Sequence, residues 1–103
     1  MSVIIGTSLN FKSEVLEAKG KVIVDFWADW CGPCQMLSPV IEEVSTKTST
    51  KLVKVNVDEQ SELAQQYTVL SIPTVLIFSD GQLKQTIVGF HQPDDYLHAL
   101  QSA

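Results

Sequence analysis

Arginine is absent from this chain: all seven basic residues are Lys, set against 12 acidic residues for a formal net charge of −5. An acidic surface without Arg is a poor match for nucleic acid or for an anionic membrane. Cysteine is almost as scarce. Cys31 and Cys34 are the whole supply, so the fold cannot be a disulfide scaffold and must depend on a packed core. No apolar stretch approaches the ~20 residues of a transmembrane helix. The first six residues hold neither a basic segment nor a long apolar run, so no signal peptide is expected. A reducing cytoplasm is then the default compartment, where an oxidised cysteine pair is transient and functional. No repeat, low-complexity tract or linker interrupts the chain. Its 103 residues, 45% of them hydrophobic, suit one domain over residues 1–103 with enough apolar mass for a core.

What is present gathers around Trp30-Cys31-Gly32-Pro33-Cys34. Two thiols separated by two residues can close a small ring with each other. By chain entropy such a ring contributes only about 2 kcal/mol before strain is subtracted. The pair is a poor staple and a plausible redox couple, and C-x-x-C in a chain with alternating strand and helix patterns reads as a dithiol redox motif.

Those patterns argue an α/β fold. Val3 to Ile5 suits a short first strand, and Asn10 to Ala18 a helix with Phe11, Val15 and Ala18 at helical spacing. The run from Val22 to Ala28 is nearly continuous apolar sequence, as in a central strand covered on both faces. The cysteine motif follows directly. A helix is expected to start within it and run toward Ser49, with Met36, Leu37, Val40, Ile41 and Val44 as its apolar stripe and a kink at Pro39. Leu52 to Val57 suits a strand and Glu62 to Tyr67 a short helix. Thr74 to Ser79 and Gln82 to Val88 flank Asp80-Gly81, a hairpin signal. Pro93 to Gln101 suits a last helix opening on Pro, with Asp94 and Asp95 in its first turn.

The position of each sulfur predicts its role. Cys31 falls at the expected start of a helix, where unpaired N–H groups and the helix dipole favour a thiolate. Cys34, one turn in, is expected to be more buried. Cys31 would then attack a substrate disulfide and Cys34 resolve the mixed disulfide. A fall in pKa from about 8.5 to ~7 raises the thiolate fraction at pH 7 roughly 16-fold and reduces intrinsic nucleophilicity about 5-fold. The net gain of about 3-fold leaves positioning as the larger contribution. Neither Gly32 nor Pro33 is a His, so no imidazolium lies between the thiols, which favours a reductant over an oxidant.

The stretch Phe26-Trp27-Ala28-Asp29-Trp30-Cys31-Gly32-Pro33-Cys34 resembles the active-site segment of the thioredoxin family. Asp25, Pro39, Lys54-Val55-Asn56-Val57-Asp58, Ile72-Pro73-Thr74, Asp80-Gly81 and Val88-Gly89 stand in the family's order and spacing, so the resemblance covers almost the whole chain. It implies a thioredoxin fold: a central mixed β-sheet of about five strands flanked by about four helices. It also implies protein-disulfide reduction, electron transport and redox homeostasis. No cofactor would be bound; electrons would come from NADPH through a thioredoxin reductase, with disulfide-containing proteins as substrates and a monomer as the working form. The alternative is a thioredoxin-fold binding or scaffold subunit without turnover. A scaffold needs no intact Cys31/Cys34 pair.

Asp25 interrupts an apolar run. It could face solvent from an edge strand, or lie buried with a raised pKa and accept the Cys34 proton during resolution. The resemblance favours the second and places Lys54 beside that carboxylate as a modulator of its pKa. It also implies a cis bond before Pro73, facing the cysteines, with the Ile72 backbone free to bond an extended substrate segment. Trp30, Ile72, Gly89 and Phe90 would form an apolar docking surface, and Trp27 would lie in the core under the motif. His91 and His98 invite comparison with a zinc site, but their spacing from each other and from the cysteines argues against one. Three positions depart from the family pattern. Gln35 stands where a Lys or Arg is common, Phe90 where a smaller residue is common, and Ser38 before Pro39 is expected to bond back to its helix backbone.

Overall fold

In the computed structural model, which describes residues 3–103, five strands form one mixed sheet in the order β1-β3-β2-β4-β5. The strands are β1 (Val3–Ile5), β2 (Lys21–Trp27), β3 (Lys51–Asn56), β4 (Thr74–Ser79) and β5 (Gln82–Val88). The first three are mutually parallel. β4 runs antiparallel to β2, and β5 antiparallel to β4. Three helices accompany the sheet: α1 (Gly32–Thr48), α2 (Ser61–Gln66) and α3 (Pro93–Gln101).

The segment expected as a helix over 10–18 is shorter and wider. It is a single π-helical turn, Lys12–Leu16, closed by the Glu17 N–H bonded to the Lys12 carbonyl at 2.8 Å. Phe11 and Val15 still bury their side chains. The turn has little room to lengthen, because Gly20 at φ +81° redirects the chain into β2 only four residues later.

Side-chain alternation on β2 sorts the core into two layers. Val22, Val24 and Phe26 pack with Phe11, Val15 and Leu63 under the π turn and α2. Ile23 packs with Leu37, Ile41 and Val44 of α1 and with Tyr96 and Leu100 of α3. Asp25 follows Ile23 by two residues and therefore shares the α1 face. The α1 stripe is narrower than expected: Leu37, Ile41 and Val44 are buried, Val40 is half-buried, and Met36 is exposed. Pro39 lies inside α1 and leaves the Gln35 carbonyl without its helical donor.

The hairpin forms at the expected residues, with Asp80 at φ +51° and Gly81 at φ +81°. Positive φ at both central positions is the conformation that matches strand twist in a two-residue turn. The turn is tied back to the loop before β2: the Asp80 carboxylate accepts from the Gly20 N–H at 2.7 Å, and the Asp80 N–H donates to the Gly20 carbonyl at 2.9 Å. At the same end of the sheet the Lys21 ammonium is bonded to the Leu100 carbonyl. At the start of α3 the Gln92 N–H donates to the Asp95 carboxylate at 3.2 Å, one half of a capping box.

Candidate active site

The site lies where β2 ends and α1 begins. Cys31 is the N-cap of α1, and its Sγ accepts from the Cys34 N–H at 3.2 Å. Gly32 and Pro33 fill the first helical turn and stay exposed. Pro there supplies a preset φ and lacks an N–H that would have had no partner. The two sulfurs are joined as a disulfide. The expected difference in burial is not seen, since Cys31 is 4% exposed and Cys34 3%. What distinguishes them is direction. Cys31 Sγ lies 3.7 Å from the Ile72 carbonyl, at the loop that flanks the pair, whereas Cys34 is held one turn into the helix.

The Ile72–Pro73 peptide bond is cis, and the antiparallel register of β2 with β4 carries it to the cysteines, because Phe26 pairs with Thr74. The Gly89 N–H bonds the Pro73 carbonyl at 2.8 Å, fixing the start of β4 against the end of β5. Beside the pair, Trp30, Val57, Val69, Leu70, Ser71 and Ile72 line a hollow of about 410 Å³. Trp30 is 71% exposed and Leu70 91%. Trp30 is nonetheless anchored: its Nε1–H donates to Asp58 at 2.9 Å. Phe90, expected on this surface, is half-buried and packs against the α1–α3 core layer, and it is not among the residues lining the hollow. Val69, Leu70 and Ser71, which no motif marks, take part in the hollow. Trp27 is half-buried, packed against Ala28 and the two cysteines, with the Lys54 ammonium 5.4 Å from its ring centroid. A second hollow of about 420 Å³ lies between β5 and α3 and contains none of the predicted site residues.

Asp25 is 1% exposed, on the central strand, which excludes the solvent-facing alternative. Its two carboxylate oxygens have no hydrogen-bond partner among the described residues. Desolvation raises its pKa to about 6, with Lys54 pulling it down and Glu42 pushing it up. Tyr96 on α3 is also fully buried on this face, and desolvation pushes its phenol to about 12. Lys54 pairs with Asp25 in the β2–β3 register, yet its ammonium donates to Ser38 Oγ at 2.6 Å and lies 3.9 Å from Glu42. Ser38 Oγ donates in turn to Glu42 at 2.9 Å. Ser38 therefore does not bond back to its own helix backbone as expected; it links a cation to an anion.

Gln35, in place of a cation, donates from Nε2 to the Asp29 carbonyl at 2.7 Å and tightens the loop before Cys31. The ring of His91 is engaged with the Val88 carbonyl at 2.9 Å and Asp95 at 3.5 Å. Among the described residues no cluster of three or more His, Cys, Asp and Glu is placed to hold a metal, and no helix is long and apolar enough to cross a membrane.

A bonded cysteine pair capping a helix, beside a cis-proline loop and with a buried carboxylate on the strand that leads to it, defines a thiol–disulfide oxidoreductase acting on proteins. The thioredoxin family model matches residues 2–102, and the chain belongs to the thioredoxin family. It is 53% identical to thioredoxin 1 of Synechococcus elongatus over 85 residues, 81% of this chain and 79% of that one. Against the thioredoxin of Bacillus subtilis it is 45% identical over 102 residues, 97% and 95% of the two chains. The fold superposes on a single-residue mutant of a thioredoxin from Halobacterium salinarum with a TM-score of 0.89 at 35% identity, covering 97% of this chain and 88% of that one.

Proposed function

We propose that this chain is a general protein-disulfide reductant of the cytoplasm, recharged by an NADPH-dependent thioredoxin reductase and holding no cofactor of its own. In the reduced form the Cys31 thiolate attacks one sulfur of a substrate disulfide. A mixed disulfide forms and one substrate thiolate leaves. Asp25 then takes the Cys34 proton, directly or through water, and the Cys34 thiolate attacks Cys31 Sγ. The Cys31–Cys34 disulfide forms and the second substrate thiolate leaves, so two electrons pass to the substrate. The helix start supports the first role: the Cys34 N–H points at Cys31 Sγ, where negative charge develops once the disulfide opens. Trp30, Leu70 and Ile72 give an extended substrate segment an apolar seat, and Gly89 holds the residue after Ile72 through its bond to the Pro73 carbonyl. Lys54 acts on Asp25 through its charge.

The observation that carries this reading is the bonded cysteine pair placed at a helix start next to an exposed apolar hollow. A scaffold subunit would need the hollow and not the pair. The test is reduction of a generic disulfide protein by this chain with NADPH and a thioredoxin reductase. Sustained NADPH oxidation that requires the chain is the expected outcome; none with an active reductase present would favour the scaffold.

A further inference from the structure

The Asp25 carboxyl and the Lys54 ammonium stay apart where proximity would favour a bond. A buried carboxylate with bare oxygens is a strong acceptor for any nearby ammonium, and Lys54 is its neighbour on the adjacent strand. The ammonium nonetheless turns to α1, where Ser38 and Glu42 sit one helical turn apart on the same face. The Ser38 hydroxyl accepts from Lys54 and donates to Glu42, so one oxygen holds both charges in place.

We propose that Ser38 and Glu42 are positioning residues that hold the Lys54 ammonium on the helix side of the site, away from Asp25, and so keep Asp25 able both to take up and to release a proton. The inference rests on the proton-acceptor role given to Asp25 above only for its kinetic consequence. The clamp itself is a matter of where Lys54 is held.

The charged and titratable groups facing Asp25 are few. Lys54 comes from β3, Glu42 from α1 and Tyr96 from α3, with the cysteine pair at the start of α1; β4 presents Val75 opposite. Lys54 and Glu42 act in opposite directions on Asp25, and Ser38 couples them. Without the Ser38 oxygen, Lys54 is free to approach the bare carboxylate, which favours the ionised form. Without the Glu42 charge, Lys54 is uncompensated, with the same sign. Without Lys54, the anion loses a nearby counter-charge and the proton is held more tightly.

The direct test is carboxyl-carbon NMR titration of Asp25 in the oxidised protein. Ser38→Ala and Glu42→Gln should each lower the Asp25 midpoint by about half a pH unit, a roughly 3-fold change in the ratio of protonated to ionised carboxyl, because Glu42 is half-exposed and screened. Lys54→Met should raise the midpoint, and Ser38→Thr, which keeps the hydroxyl, should restore the parent value. In a Lys54→Met background Ser38→Ala should have no further effect, since the clamp then holds nothing. A midpoint unchanged or raised in Ser38→Ala and Glu42→Gln overturns the proposal, as does a Ser38→Ala shift that persists without Lys54. The pH profile of mixed-disulfide resolution separates the two ideas. If its acid limb moves with the Asp25 midpoint, both stand; if the midpoint moves and the limb does not, the clamp stands and the proton-acceptor role falls.

Discussion

Asp25 and Lys54 are register partners on adjacent parallel strands, yet the Lys54 ammonium bonds to Ser38 Oγ at 2.6 Å and leaves the Asp25 carboxylate without a hydrogen bond among the described residues. Burial raises the pKa of that carboxyl from 3.8 to about 6, against the downward pull of the Lys54 charge, and this has effects on stability as well as on chemistry.

The stability effect has a definite sign. Because its pKa is raised in the fold, Asp25 binds its proton more tightly folded than unfolded, and stability falls as pH rises from about 4 to about 6. Above that window the cost is complete, on the order of 3 kcal/mol for the ionised buried group. Asp25→Asn should therefore stabilise the oxidised protein by about that amount at pH 7.5 and by little below pH ~4. Guanidinium unfolding at the two pH values checks this. A gain of equal size at both would mean that ionisation is not its source.

The same substitution separates the chemical steps. With Asn in place of Asp25, resolution of a mixed disulfide should slow by roughly 10- to 100-fold at pH 7, while the first attack by Cys31 changes much less. Rapid-mixing kinetics with a chromogenic disulfide resolves the two. Equal slowing of both would point to a general electrostatic effect on the thiols.

Cys34→Ser should leave substrate proteins covalently held on Cys31, since the serine hydroxyl cannot resolve them. Mass spectrometry of the trapped species identifies the sulfur involved, and adducts should vanish when Cys31 is also replaced.

Leu70 supplies a different kind of prediction. It is nearly fully exposed at the rim of the hollow beside Cys31, so Leu70→Ser should leave folding intact. Removing apolar contact worth about 1 kcal/mol should raise KM for a protein disulfide roughly 5-fold and leave the rate with a small linear disulfide unchanged. A parallel loss with both substrates would place Leu70 outside docking.

The hairpin and the active-site segment are legible in the sequence because their chemistry is local. Asp80-Gly81 encodes two positive φ values in two adjacent residues, and Cys31-Gly32-Pro33-Cys34 encodes a helix start and a closable ring in four. The π turn at Lys12–Leu16 is less legible, because Phe11 and Val15 are spaced alike in wide and ordinary helical turns. The partner of Ser38 is hidden for a related reason: Lys54 is 16 residues away on another element, and a hydroxyl on a helix carries no mark of what lies across from it. Phe90 packs half-buried against the α1–α3 layer, while Leu70, which no motif marks, stands outward. A single apolar residue in a loop has no periodicity to report which way it faces.

Gly81 tests how firmly the far end of the sheet is held. A Cβ at this position would meet the Leu16 carbonyl oxygen well inside contact distance, at a φ that side chains rarely adopt. Gly81→Ala should cost about 2 kcal/mol or more, read as a fall in Tm of roughly 8 °C or more. Unchanged redox turnover below the transition would show that the damage stays at that end.

The bond from the Lys21 ammonium to the Leu100 carbonyl ties the last helix to the start of β2, and β1 begins beside the start of β3, since Val3 pairs with Leu52. Both ends of the described chain therefore meet the sheet at the edge where its parallel strands begin, while Cys31 and Cys34 lie where β2 finishes. The reactive pair and the Lys21–Leu100 tie thus lie at opposite ends of β2, so a disturbance of that tie is separated from the cysteines by the length of the central strand.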